Sequence, residues 1–238
     1  MPWPRTTATN VESLEQVPHI ASIPTSNLVS LSMYSWMCRG RNIHKAVMEL
    51  VTTSPHLESL ELLLINSNFH GNKRLPPIKH LSLGRCDWTC AADDVSRAWD
   101  FSRLETLRLV DRTNTLKFMQ SVPSKQLPCL KSLTMECVRH TEHERFTELL
   151  GQFLLETPQL LEIGLTCQLW SLSIPSIARH SSLRILSLKD CRWAGGRGEV
   201  VGTIAVPDLA LLQTECKNLA ELTLDVRDYD ASIAIFFE

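Results

Sequence analysis

The phrase Leu183-Arg184-Ile185-Leu186-Ser187-Leu188-Lys189-Asp190-Cys191 sets the rhythm of the chain. Its form is L-x-x-L-x-L-x-x-C. The same apolar spacing returns from Leu57 to Ile65, Ile78 to Cys86, Leu104 to Arg112, Leu130 to Val138, Leu160 to Gln168 and Leu219 to Arg227, and more weakly from Leu28 to Met33. The fourth and sixth positions are apolar, and those flanking the fourth are mostly small or polar. Alternation with period two predicts a short strand with one buried face. The first leucine of each phrase stands where the strand begins and can turn into the same core.

Between the phrases the period changes to that of helices. Ile43, Ala46, Val47, Leu50 and Val51 form one apolar stripe. Thr141-Glu142-His143-Glu144 reads as a capping box ahead of Phe146, Leu149, Leu150, Phe153 and Leu154. Asp208 to Cys216 carries Leu209, Leu212 and Cys216 on one side, and shorter turns are expected over Ala92–Trp99, Leu116–Val122 and Pro175–Arg179. Pro55, Pro76, Pro128 and Pro158 each stand two residues before a phrase, where proline ends a helix and hands an extended chain to the strand.

The phrases start at residues 28, 57, 78, 104, 130, 160, 183 and 219, in steps of 29, 21, 26, 26, 30, 23 and 36. A strand-plus-helix unit at a period of roughly 20–29 residues is the leucine-rich repeat. The expected fold is therefore α/β: a leucine-rich-repeat solenoid of about eight repeats, with a curved parallel sheet on the concave side and helices on the convex side. Residues 1–27, rich in Pro, Thr and Ser, are expected to form a flexible lead-in or a degenerate first repeat, and 28–238 the repeat domain. Such units stabilise one another rather than folding singly. The end, Ala231 to Phe237, is largely apolar, and predicts either a helix over the last repeat or the loss of further repeats.

Composition changes the picture by exclusion. With 44% hydrophobic and 21% charged residues and a formal charge of -2, net charge gives no case for nucleic acid or an anionic membrane as partner. No apolar run approaches the ~18 residues of a membrane span. The amino terminus lacks the apolar core of a secretory signal, and no Asn-x-Ser/Thr sequon occurs. The expected location is cytoplasmic or nuclear, where the eight cysteines are thiols.

The candidate chemical motifs have plainer explanations. Cys86 and Cys191, at the ninth phrase position, and Cys137 and Cys167, at the eighth, fit small residues filling the turn after a strand. Cys86 and Cys90 have no second Cys/His pair at zinc spacing. His140 and His143 lack the i, i+4 spacing of a metalloprotease helix, and the capping box accounts for Thr141 and Glu144. Gly195-Gly196-Arg197-Gly198, with Gly202, lacks the Gly-Lys-Ser/Thr of a phosphate loop and reads as a flexible insertion. No cofactor, metal or catalytic set is expected, and an enzyme is the weakest reading.

A binding surface remains. Its candidate residues point outward from the strands or lie at their rim: Glu61, His80, Arg85, Thr106, Arg108, Asp111, Ser132, Thr134, Glu162, Ile185, Lys189, Asp190 and Glu221. Trp88, Trp170 and Trp193 stand near that rim, where tryptophan anchors interfaces or packs between repeats. The phrases Ser54-Pro55-His56-Leu57-Glu58-Ser59-Leu60-Glu61-Leu62 and Cys216-Lys217-Asn218-Leu219-Ala220-Glu221-Leu222-Thr223-Leu224 resemble the divergent repeats of F-box/leucine-rich-repeat proteins, particularly fungal ones. The resemblance covers about residues 28 to 227. It implies a protein substrate held by the repeats and a ubiquitin-ligase complex as the assembly. In that family an F-box helical module precedes the repeats, whereas the 27 residues before the first phrase hold no such helices. The alternative is a stand-alone binding or inhibitor protein.

Overall fold

The computed structural model describes residues 16–35, 41–64, 67–68, 74–84, 86–87, 92–110, 115–136, 143–167, 169, 172–190, 204–225 and 232–236. Its strands are β1 (Ser30–Ser35), β2 (Ser59–Leu64), β3 (Ser67–Asn68), β4 (His80–Leu83), β5 (Cys86–Asp87), β6 (Thr106–Val110), β7 (Ser132–Glu136), β8 (Glu162–Cys167), β9 (Ile185–Asp190), β10 (Glu221–Asp225) and β11 (Ser232–Phe236). The helices are α1 (Gln16–Ala21), α2 (Arg41–Thr53), α3 (Ala92–Ala98), α4 (Thr115–Ser121), α5 (His143–Glu156), α6 (Ile174–Ala178) and α7 (Val206–Glu215).

Every phrase supplies one strand of a single sheet, ordered β1-β2-β4-β6-β7-β8-β9-β10-β11. The first eight run parallel, in chain order. The register never slips: third phrase residues align with third, Ser30 with Ser59, His80, Thr106, Ser132, Glu162, Ile185 and Glu221 in turn. β3 and β5 form a second, two-stranded parallel ladder just beyond β2 and β4.

One backbone contact repeats at each of the seven steps. The carbonyl of the second phrase residue accepts two N–H groups from the next phrase, from Val29 O with Glu58 N at 2.8 Å and Ser59 N at 3.1 Å to Arg184 O with Ala220 N at 2.8 Å and Glu221 N at 3.0 Å. A parallel strand has no hairpin to fix its offset, so this forked bond and the apolar side chains together hold it.

The buried face is the expected one. Leu60, Leu62, Leu107, Leu133, Met135, Leu186 and Leu188 are fully buried, and the starting residues Leu57, Ile78, Leu104, Leu130, Leu160 and Leu183 lie in the same cluster. The helices bring Ile43, Val47, Leu50 and Val51 from α2 and Phe146, Leu150, Phe153 and Leu154 from α5 against them. Between these helices, Trp99 stacks on Phe101 at 5.5 Å, and Phe101 meets Phe118 edge-on at 6.1 Å. Among the described residues the result is two layers, a sheet with helices on one face and the other face open. Burying each leucine stabilises by roughly 1.5–3 kcal/mol, but only because helix and neighbouring strands exclude water from it together.

Helix ends are closed by side chains where the chain turns toward a strand. Ser54 Oγ donates to Leu50 O at 2.6 Å, and Thr157 Oγ1 to Leu154 O at 2.9 Å, both buried. The chain end corrects the sequence expectation. Ser232–Phe236 is not a helix but a strand pairing antiparallel with β10, from Glu221↔Phe236 to Asp225↔Ser232. Its alternating small and apolar residues satisfy the backbone edge that β10 would otherwise leave open. Thr141, Glu142 and the Gly195–Gly202 segment lie outside the described residues, so the capping box and the insertion are not placed.

Candidate functional site

The open face of the sheet is built by the odd positions of each phrase, and the common register turns them into rows. One row is Ser30, Ser59, His80, Thr106, Ser132, Glu162, Ile185 and Glu221, and the next is Ser32, Glu61, Ser82, Arg108, Thr134, Gly164, Ser187 and Thr223. Of the residues singled out from the sequence, His80, Arg108, Glu162 and Lys189 are exposed there, while Glu61, Thr106, Ser132, Thr134, Ile185 and Glu221 are half-buried. Lys189 belongs to β9 itself and pairs in register with Thr166. Asp190 aligns with buried Cys167, so the alternation of the strand turns it toward the helix side rather than the open face. Arg85 and Asp111, the three rim tryptophans, and Cys90, Cys137, Cys191 and His140 lie outside the described residues.

Specific bonds tie the rows together. His80 Nδ1 and Thr106 Oγ1 are 3.2 Å apart, and an Arg108 nitrogen stands 4.0 Å from Glu136 Oε1. At the β1 end the hydroxyls of Ser32 and Tyr34 both donate to Glu61 Oε2, Ser32 from 3.1 Å. That bond to Glu61 raises the Tyr34 pKa, with burial adding to it and the Arg108 charge opposing it. Ser82 Oγ, between Glu61 and Arg108 in the row, is covered and has no hydrogen-bond partner among the described residues. The Thr134 side chain fills the space over Gly164, where a Cβ would lie only 3.2 Å from Thr134 Oγ1.

A further row was missed in the sequence. The second phrase residues read Val29, Glu58, Lys79, Glu105, Lys131, Leu161, Arg184 and Ala220, and the forked backbone bonds stack them in that order. Lys79 Nζ donates to Glu58 Oε1 at 2.7 Å and Lys131 Nζ to Glu105 Oε2 at 2.8 Å. These bonds hold the Glu58 and Glu105 carboxyls below their ordinary pKa and the Lys131 ammonium above it. The alternating signs at one phrase position were the available signal. As solvent-accessible pairs at the edge they contribute little to stability, but they order the border of the face.

Among the described residues no three His, Cys, Asp or Glu side chains gather as metal ligands, and no helix is long and apolar enough to cross a membrane. Cys129, Cys167 and Cys216 are thiols. What the open face offers chemically is hydrogen bonding from hydroxyls, a few separated charges and shallow apolar ground, which suits recognition of a surface or an extended segment. Scanned against protein-family models the chain matches none, and a search of curated proteins also returns no match.

Proposed function

We propose that the chain is a leucine-rich-repeat solenoid whose open face is the concave, protein-binding side and whose helices form the convex side. The observation that carries this reading is the unbroken register of eight phrase-bearing strands, which lines up two outward residues per phrase as one continuous array. Small polar side chains alternating with isolated charges suit a protein partner. Charges of both signs, with Glu58 held by Lys79 and Glu105 by Lys131, give no basic field for nucleic acid or an anionic lipid surface.

In the more specific form of this reading the partner is a substrate, and the chain is the repeat part of an F-box-type ubiquitin-ligase receptor, cytoplasmic or nuclear. The resemblance of the Ser54–Leu62 and Cys216–Leu224 phrases supports it. The second form is a stand-alone binding or inhibitor protein unrelated to ubiquitination.

Photo-crosslinking tests the shared claim. A benzophenone side chain at Thr134, on the open face, is expected to capture a partner in native extract, and one at exposed Gln152 on α5 is not. Adducts from Gln152 alone overturn the assignment. Co-purification of the ubiquitin-ligase scaffold subunit then separates the two forms.

A further inference from the structure

The charges on the open face are matched unevenly. Glu58 and Glu105 each hold a lysine, whereas no cation lies within ion-pair distance of Glu61 among the described residues. Two hydroxyls serve Glu61 instead, from Ser32 on the neighbouring strand and from Tyr34 two residues further on, and both end on Oε2. Oε1 accepts no hydrogen bond from a described residue. Two donors fix the carboxylate before any ligand arrives, which lowers the ordering cost of binding. Beside it the Tyr34 side chain stands on the outermost phrase strand, with the residue 60% exposed. A fixed carboxylate with one oxygen open, next to an exposed aromatic face, is suited to a guanidinium or ammonium group, which donates to the oxygen and lies over the ring.

Arg108 stands two strands further along the same row, Glu61↔Ser82↔Arg108. Its side chain is 48% exposed, and Glu136 approaches only to 4.0 Å, beyond hydrogen-bond length. The row thus passes from an anion with no cation beside it to a cation whose ion pair with Glu136 is a long one, without a hydrogen bond. Two strand spacings of ~4.8 Å separate them, roughly 10 Å, and a chain in polyproline II conformation covers about that in one three-residue turn at ~3.1 Å per residue, which brings residues i and i+3 to the same side.

We propose that Tyr34, Glu61 and Arg108 form a binding site for a peptide segment of a partner protein in polyproline II conformation, in which a basic and an acidic residue stand three positions apart, the basic one on Tyr34–Glu61 and the acidic one on Arg108. This rests on the reading of the open face as the binding side. Polarity and spacing together distinguish the segment from a merely basic one.

The probe is the acetylated, amidated hexapeptide Ser-Arg-Thr-Thr-Glu-Ser, titrated into the full chain and followed by amide chemical shifts. Saturable shifts are expected around residues 32–34, 61 and 108, with a dissociation constant in the millimolar range or tighter. Replacing arginine by citrulline in the peptide, or Glu61→Gln in the chain, is expected to weaken binding about tenfold, the loss of one charge-assisted bond. Glu61→Gln keeps an acceptor for Ser32 and Tyr34, so an unchanged melting curve shows that the fold is intact. Tyr34→Phe is expected to bind better than Tyr34→Ala, because the ring rather than the hydroxyl meets the cation. Shifts elsewhere on the open face that ignore Glu61→Gln overturn this site while leaving the concave reading in place. No saturable shift up to about 10 mM peptide overturns it too, and the Thr134 crosslink judges the broader reading independently.

Discussion

The backbone N–H of Leu160 donates to Nδ1 of His180, 3.2 Å away, across two adjoining phrases. The N–H groups of Leu57, Leu104, Leu130, Leu183 and Leu219 instead close a turn onto the carbonyl three residues earlier in their own segment. Because Nδ1 accepts, the neutral ring carries its proton on Nε2, which is buried and short of a well-formed hydrogen bond, with the Leu154 carbonyl the acceptor offered to the ring. Burial, with the Arg179 charge adding to it and the Leu154 carbonyl opposing, pushes the His180 pKa down to about 4. Protonation would turn the acceptor into a donor facing another donor.

The sign of the pH effect follows. In the unfolded chain this histidine titrates near its ordinary 6.5 and in the folded chain near 4, so in that interval the unfolded state binds more protons. Stability is therefore intact above about pH 6.5 and falls as pH drops toward 4, by up to about 3 kcal/mol from this group alone. His180→Asn keeps an acceptor and cannot charge. Urea denaturation is expected to show the gap between parent and variant narrowing by about that amount from pH 7 to pH 4. A gap that stays constant over that range refutes the assignment.

Leu107 and Leu186 are buried completely at the centre of the sheet, each between two parallel neighbours. Leu107→Ala or Leu186→Ala is expected to cost roughly 2–5 kcal/mol. Thr106→Ala, one residue away on the open face, is expected to stay within about 1 kcal/mol. Thermal melts that overlay for Leu107→Ala and the parent contradict the packing described.

How far the sequence foretold this arrangement depends on what kind of interaction fixes each part. Burial is set by hydrophobic period, so Leu60, Leu107, Leu133 and Leu186 were legible as inward and Glu61, Arg108 and Thr134 as outward. The short helices at 92–98, 115–121 and 174–178 were legible for the same reason, with proline marking where strands resume. β11 was not, because Ser232–Phe236 pairs antiparallel with β10 through its backbone, and an apolar run does not say which backbone it will meet. The Glu58–Lys79 and Glu105–Lys131 pairs escaped because each joins residues 21 or 26 positions apart. Reading down one phrase position, rather than along the chain, would have found them. The pairing of Tyr34 with Glu61 needed the register of β1 as well, and that phrase is the weakest of the eight.

Thiol chemistry should follow burial. Cys216 is buried and its Sγ donates to Ala178 O at 3.7 Å, and burial, helped by the nearby Glu215 charge, pushes its pKa up. Cys167 is buried as well, while Cys129 is exposed. Brief alkylation with iodoacetamide at neutral pH, followed by peptide mapping, is expected to label Cys129 and to spare Cys167 and Cys216 until denaturant is added. Equal labelling of the three in the native chain would mean that the α6–α7 side opens far more readily than its packing implies.

Two glycines make opposite predictions. A Cβ on Gly84 would stand 2.7 Å from Leu63 Cδ2 and 3.1 Å from Val110 O, because Leu63 folds over the strand end where Gly84 N–H donates to Leu62 O at 2.9 Å. Leu63 can yield by rotating, but the Val110 carbonyl belongs to the next strand and cannot move without disturbing the ladder. Gly84→Ala is therefore expected to destabilise by roughly 1–3 kcal/mol. Gly151 lies within α5, where a Cβ would meet Ser173 Cβ at 3.4 Å and Ser176 Oγ at 3.5 Å, ordinary contact distances. There alanine removes the backbone entropy that glycine loses in a helix, and Gly151→Ala is expected to stabilise by up to about 1 kcal/mol. Paired denaturation curves decide both, and a stabilised Gly84→Ala would mean that Leu63 does not cover that strand end.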